Sequence, residues 1–178
     1  MEQSKKILKA FNTVPDTCIR VNTLKITTDA IKKQLKLKNI SVEDIPYIQE
    51  GLSIKTGADT LFSEFLQTGL LYVQTASSMI PAKVLGPDAG DHVLDMCAAP
   101  GSKTTHIAAL MGNRGSIDAW DVYPHKVKLI KDNAKRLGIS IIHTEVRDSV
   151  KPLPFLYETY DKVLLDAPCS GLGVLGHK

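Results

Sequence analysis

From His92 onward the chain alternates short apolar runs with amphipathic stretches at regular spacing, and this alternation restricts the fold more than any other feature. Residues 92–97, 116–121, 141–146 and 162–167 read as strands, and 102–111 and 125–137 as helices. The second helix carries Val127, Ile130, Ala134 and Leu137 on one face and stops at Gly138. Strands separated by helices pair in parallel through right-handed crossovers, so the expected class is α/β with a Rossmann-like, doubly wound sheet.

Upstream the pattern is different. Residues 4–11 have helical periodicity closed by Val14-Pro15-Asp16, 18–26 alternate Ile19, Val21 and Thr23 with polar residues, and Thr28-Asp29 cap a helix carrying Ala30, Ile31 and Leu35. Strand-like pieces follow at 41–45 and 52–55. These elements form a small α+β module over 1–58, with a boundary at Gly57-Ala58-Asp59 and the main domain over 59–178. The main domain opens with a helix at 61–66, a short strand at 70–73 and a helix at 76–85 that Pro81 interrupts or kinks.

Composition removes several classes. With 43% hydrophobic and 23% charged residues the chain has the balance of a globular domain and not of a disordered one. No apolar run is long enough for a membrane helix and no secretory leader pattern opens the chain, so a soluble, cytoplasmic location is expected. Three widely spaced cysteines, Cys18, Cys97 and Cys169, form no C-x-x-C pair, and the histidines at 92, 106, 125, 143 and 177 have no ligand spacing, so no metal is expected. The first 55 residues hold ten Lys or Arg against six Asp or Glu, which points to a polyanionic partner near the N-terminal module. The Lys126, Lys128, Lys131, Lys135 and Arg136 face reads as an ordinary solvated helix surface.

Ligands of an open α/β sheet bind at the carboxyl ends of its strands. Here those ends are acidic: Asp95 leads into Cys97-Ala98-Ala99-Pro100-Gly101-Ser102-Lys103, the second strand ends at Asp121, the third leads to Asp148 and the fourth ends at Asp166. The turn after the first strand lacks the G-x-G-x-x-G that a dinucleotide pyrophosphate needs, and Ser102 and Cys97 stand where a P-loop needs glycine. A ligand with ribose, adenine and one modest anion fits better. N–H groups opening the 102 helix suit a carboxylate, Asp121 suits ribose hydroxyls, Asp148 an adenine amino group and Asp166 a cationic amine or sulfonium. S-adenosylmethionine carries that set. Lys103 reads either as a surface lysine or as a contact to cofactor, catalytic loop or RNA. Cys169, beside the fourth strand end, suggests thiolate addition to a pyrimidine, because carbon five is not nucleophilic until a thiolate adds at carbon six. Cys18 and Cys97 read as packing residues.

The run Leu94-Asp95-Met96-Cys97-Ala98-Ala99-Pro100-Gly101-Ser102-Lys103-Thr104-Thr105, with Asp166-Ala167-Pro168-Cys169-Ser170-Gly171, resembles the RNA (cytosine-5)-methyltransferases, most closely their bacterial Sun/RsmB branch. Gln74-Thr75-Ala76-Ser77-Ser78 and Arg20-Val21-Asn22-Thr23-Leu24-Lys25 extend the resemblance over nearly the whole chain. It implies a class I methyltransferase domain using S-adenosylmethionine on 16S rRNA, monomeric at full length. The cofactor site would hold Cys97, Ala98, Ala99, Pro100, Gly101, Ser102, Lys103, Asp121, Asp148 and Asp166, and Arg20, Asn22 and Lys25 would contact RNA. It also implies that Cys169 assists product release, the nucleophile being a second cysteine in a Thr-Cys pair on a following strand. Ser102, where many members have a second glycine, and Trp120 are departures from the pattern.

The chain ends at His177-Lys178, before that strand, and the helical RNA-binding domain usual upstream is missing. The expectation is therefore an incomplete sheet, a fragment truncated at both ends, and no turnover by this chain alone. A non-catalytic RNA-binding remnant of the same fold is the alternative; an NAD-dependent oxidoreductase is the third, resting on fold analogy and Asp121.

Overall fold

The computed structural model describes residues 16–56, 62–151 and 154–168. The helix expected at 4–11, the boundary at Gly57-Ala58-Asp59 and Cys169 lie outside the described residues.

The first unit is an antiparallel sheet of β1 (Cys18–Val21), β2 (Ser41–Ile45), β3 (Ile48–Thr56) and β4 (Leu71–Val73), in the order β2-β3-β1-β4. Helix α1 (Thr28–Leu37) starts one residue earlier than expected, because the Thr27 hydroxyl accepts the Ala30 N–H. Its apolar face inserts Ile31 and Leu35 among Ile19, Val21, Leu52 and Leu71. Helix α2 (Phe62–Gln67) adds Phe65 to this core.

The first sheet takes in a strand from beyond residue 58, one that the sequence assigned to the main domain. β4 pairs with β1 through Ile19↔Val73, Arg20↔Tyr72 and Val21↔Leu71, so the sheet of the small module continues to Val73. Without β4 the second edge of β1 would be an unpaired row of backbone donors and acceptors. Three residues carry no signal of which sheet they will join.

Helix α3 (Ala76–Leu85) runs unbroken through Pro81 and ends at Gly86 in the left-handed conformation. Met79 and Ala82, fully buried on either side of the proline, hold it in place.

The second sheet is parallel throughout and contains β5 (His92–Asp95), β6 (Ser116–Asp121), β7 (Ile142–Val146) and β8 (Lys162–Leu164). Its order β7-β6-β5-β8 means that the chain winds outward from β5, then returns to β5's other edge. That reversal opens a crevice at the carboxyl ends of β5 and β8. Helices α4 (Ser102–Leu110) and α5 (Pro124–Leu137) bury Ile107, Ala134 and Leu137 against Val93 and Ile117. Tyr72 of β4 and Ala82 of α3 join the same cluster, so the modules share a core. On β8, Val163 is half exposed, as expected for the outermost strand of the described sheet.

Candidate functional site

The turn between β5 and α4 is held from three directions. The Ala98 N–H donates to Trp120 O (2.8 Å), the Gly101 N–H to Ala98 O (2.7 Å), and Asn133 Nδ2 to Pro100 O (2.9 Å). The Ala99–Pro100 peptide is cis. Gly101 has φ +97°, and a Cβ there would lie 3.3 Å from Ile130 Cα on α5. The left-handed conformation favours glycine, and the close approach leaves little room for a side chain. Gly101→Ala is expected to cost about 1–3 kcal/mol of stability and to shift the start of α4; urea unfolding with a ligand titration checks both.

Above this turn the strand ends enclose a cleft of about 540 Å³. Cys97, Ala99, Asp121, Asp148 and Asp166 of the expected set line it, together with Met96, with Tyr123 and Arg147, which the sequence did not single out, and with Lys126, which it placed on a solvated helix face. Arg147 sits next to Asp148, and its guanidinium lies 4.7 Å from the centre of the Trp120 ring. Ala98, Pro100, Gly101, Ser102 and Lys103 form the turn and first helical residues rather than the lining.

The carboxylates have distinct surroundings. Asp121 is mostly buried; its Oδ1 accepts the Tyr123 N–H at 3.1 Å, while Oδ2 is uncommitted among the described residues. Asp148 Oδ1 accepts the Val150 N–H, and the neighbouring Ser149 hydroxyl donates to Met96 O at 2.6 Å, tying this loop to the end of β5. Asp166 is half exposed and pairs with Lys103 Nζ at 2.6 Å. That contact bridges the crevice from α4 to the chain after β8.

Asp95 lies beneath the cleft and accepts the Thr104 hydroxyl at 2.7 Å through Oδ2. Its Oδ1 is buried without a partner among the described residues. Burial pushes this carboxyl up to about 6, with Asp166 adding to the effect, against the Thr104 hydroxyl and the Cys97 N–H. Burial, with Asp95, Asp121 and Asp166 nearby, also pushes up the Cys97 thiol. A raised thiol is a weaker source of thiolate, in keeping with the reading of Cys97 as a packing residue.

The structure moves two expected RNA contacts inside. Arg20 is 2% exposed, and its guanidinium reaches Gln74, Ser102 and Thr105. Asn22 Nδ2 donates to Gly69 O and Leu137 O, both at 2.8 Å. Lys25 is exposed, and its ammonium bonds Thr68 O and Arg136 O. These side chains join the modules, leaving Arg20 and Asn22 no accessible donor for a polyanion. Sequence could not separate the readings, because Arg and Asn serve both roles. On α5, Lys128 pairs with Asp132 as on any solvated face, whereas Lys126 borders the cleft and Arg136 donates to Leu66 O. His106, assigned no role from sequence, is fully buried against Glu50 at 2.6 Å.

Comparison with known proteins agrees with this arrangement. The "probable ribosomal RNA small subunit methyltransferase B" of Bacillus subtilis is 40% identical over 99% of this chain, which spans 40% of that protein. The "ribosomal RNA small subunit methyltransferase F" of Erwinia tasmaniensis is 46% identical over 88% of the chain and 34% of its own length. The chain thus spans well under half of these curated relatives. A crystal structure of a methyltransferase homologue from Pyrococcus horikoshii has TM-score 0.84 at 37% identity, over 93% of this chain and 54% of that one. NSun6 from the same organism shares the fold, with TM-score 0.83 at 24% identity over 97% of this chain and 69% of that one. Residues 2–60 match the ferredoxin-like domain of RsmF/B-like methyltransferases, and residues 82–178 match the 16S rRNA methyltransferase RsmB/F model. With its acidic strand ends gathered around one cleft and both matches in the expected order, the chain belongs to the RsmB/F family of 16S rRNA methyltransferases.

Proposed function

We propose that the cleft binds S-adenosylmethionine and that the protein serves methylation of carbon five of a cytosine in 16S rRNA. The observation that carries the cofactor reading is the convergence of Asp121, Asp148 and Asp166 on one cleft beside the N-terminus of α4. The uncommitted Oδ2 of Asp121 suits ribose hydroxyls, and Asp148 suits the adenine amino group. The apolar sides of Val122, Tyr123 and Val150, all at least half exposed, are placed to flank a flat base. The free N–H groups of Ser102 and Lys103 suit the carboxylate. The acidic surroundings favour a cationic sulfonium and disfavour a pyrophosphate.

When bound, the cofactor supplies an electrophilic methyl group; this chain's residues hold and orient it. The small-subunit rRNA substrate is supported by family membership. The choice of cytosine carbon five, and product release by Cys169, are supported by the resemblance of the Asp166-Ala167-Pro168-Cys169 run.

Calorimetric titration of the folded chain tests the cofactor reading, with NAD as control. Saturable binding of S-adenosylmethionine is expected, with none for NAD. Asp121→Ala is expected to weaken it by about 10- to 100-fold, from loss of hydrogen bonds to a charged group. A folded chain that fails to bind the methyl donor overturns the reading; salt-sensitive RNA binding without any cofactor effect would favour a non-catalytic RNA-binding protein instead.

A further inference from the structure

We propose that Arg20, on the first strand of the small module, is a positioning residue for the methyl-donor site: it aims the opening N–H groups of α4 at the donor's carboxylate. The proposal rests on the cofactor reading above and assigns the small module a part in it. Arg20 Nη1 donates to Ser102 O and to Gln74 Oε1, both at 2.6 Å, and Nη2 donates to Thr105 Oγ1 at 2.9 Å. The Thr105 hydroxyl in turn lies 2.7 Å from Gly101 O and 3.2 Å from Ser102 O.

Those two carbonyls belong to the peptide units whose other ends are the N–H groups of Ser102 and Lys103. A peptide unit is planar and its C=O and N–H point in opposite directions, so holding the oxygen fixes the direction of the N–H. At the start of a helix these N–H groups have no acceptor within the helix and are available to an anion. Gln74 is itself anchored, its Nε2 donating to Ser78 O on α3. The clamp is thus tied to α3 as well as to α4.

The chemistry of the clamp argues against a mere joint. All three acceptors of the guanidinium are neutral, and Nε has no partner among the described residues. Glu50, whose charge acts on Arg20, is engaged with His106 and Lys83. Burial pushes Arg20 down to about 10, so it is still a cation near pH 7. Holding two modules together with a desolvated charge and neutral acceptors is costly compared with an apolar contact. A positive charge behind the positive end of α4 instead strengthens the field at the anion's position.

The test compares two ligands that share adenosine and differ in the amino-acid portion: S-adenosylhomocysteine, which has the carboxylate, and methylthioadenosine, which lacks it. In Arg20→Met the affinity for the first is expected to fall about tenfold, while that for the second changes less than about twofold, with Arg20→Lys recovering part of the loss. Thr105→Val, which removes only the relaying hydroxyl, gives the same selective loss at smaller size and serves if Arg20→Met fails to fold. Equal weakening of both ligands, or no change in either across Arg20→Lys and Thr105→Val, overturns the proposal. Wild-type protein that binds neither ligand overturns the cofactor reading itself and the proposal with it, a result distinct from unselective weakening in the variants.

Discussion

Glu50→Ala is expected to destabilise the protein by about 3–5 kcal/mol, the usual cost of removing one partner from a buried ion network. Glu50 is 5% exposed on β3 and joins the modules by accepting from His106 Nε2 of α4 at 2.6 Å, with Lys83 Nζ of α3 at 3.3 Å. Burial alone would raise its carboxyl, but the hydrogen bonds from His106 and its own backbone, with the charges of His106 when protonated and of Lys83, outweigh it and hold the group at about 2. Burial pushes His106 down, so the pair is a carboxylate accepting from a neutral imidazole, and Lys83 supplies the compensating charge.

The sign of the pH dependence follows. A carboxyl lowered from 4.5 to about 2 on folding contributes stability that is complete above 4.5 and lost as pH falls towards 2. Urea unfolding of wild type and Glu50→Gln should therefore differ most at neutral pH and converge near pH 2. A difference that is constant over that range would show that the charge of Glu50 plays no part.

Asp95→Asn has the opposite expected sign: the variant should gain up to about 3 kcal/mol at neutral pH, from a shift of roughly two pH units at 1.36 kcal/mol each. Asp95 is 1% exposed, and its carboxyl is raised from 3.8 to about 6, chiefly by burial. The folded protein takes up a proton more readily than the unfolded chain, so stability falls as pH rises from 3.8 to 6, and the full penalty applies above 6. Asparagine carries no such charge, so the gain should be near zero at pH 3.5 and reach its full size by pH 7.5. Chemical unfolding at the two pH values measures it, and an equal gain at both would locate the effect in packing. Glu50 and Asp95 are both buried carboxylates, yet one meets donors and a cation at the joint while the other keeps an oxygen under the cleft that has no partner among the described residues. The first stabilises the fold; the second is tolerated at a site whose proposed ligand is a cation.

The residues that line the cleft are partly legible in the sequence. The spacing of β5 to β8 with their helices implied a parallel sheet, and in such a sheet the residues at successive strand ends must meet. Asp121, Asp148 and Asp166 do line one cleft. These are local signals: period and terminus are written in neighbouring residues. The positive φ of Gly101 and its approach to Ile130, by contrast, came only with the packed turn.

What the sequence left open depended on residues far apart in the chain. Leu71–Val73 joined the first sheet because β1 had a free edge, and nothing within those three residues records that edge. Glu50 and His106 are 56 positions apart, and Arg20 and Ser102 are 82 apart, so each pair exists only once the modules are docked. Arg20, Asn22 and Lys25 show the limit well. Sequence alone determined that three donors cluster near β1, along with the α/β sheet and its acidic strand ends. The tertiary structure decided that the Arg20 and Asn22 side chains point inward and that all three meet backbone or side-chain acceptors, because burial depends on which surface packs over a residue and not on its own chemistry.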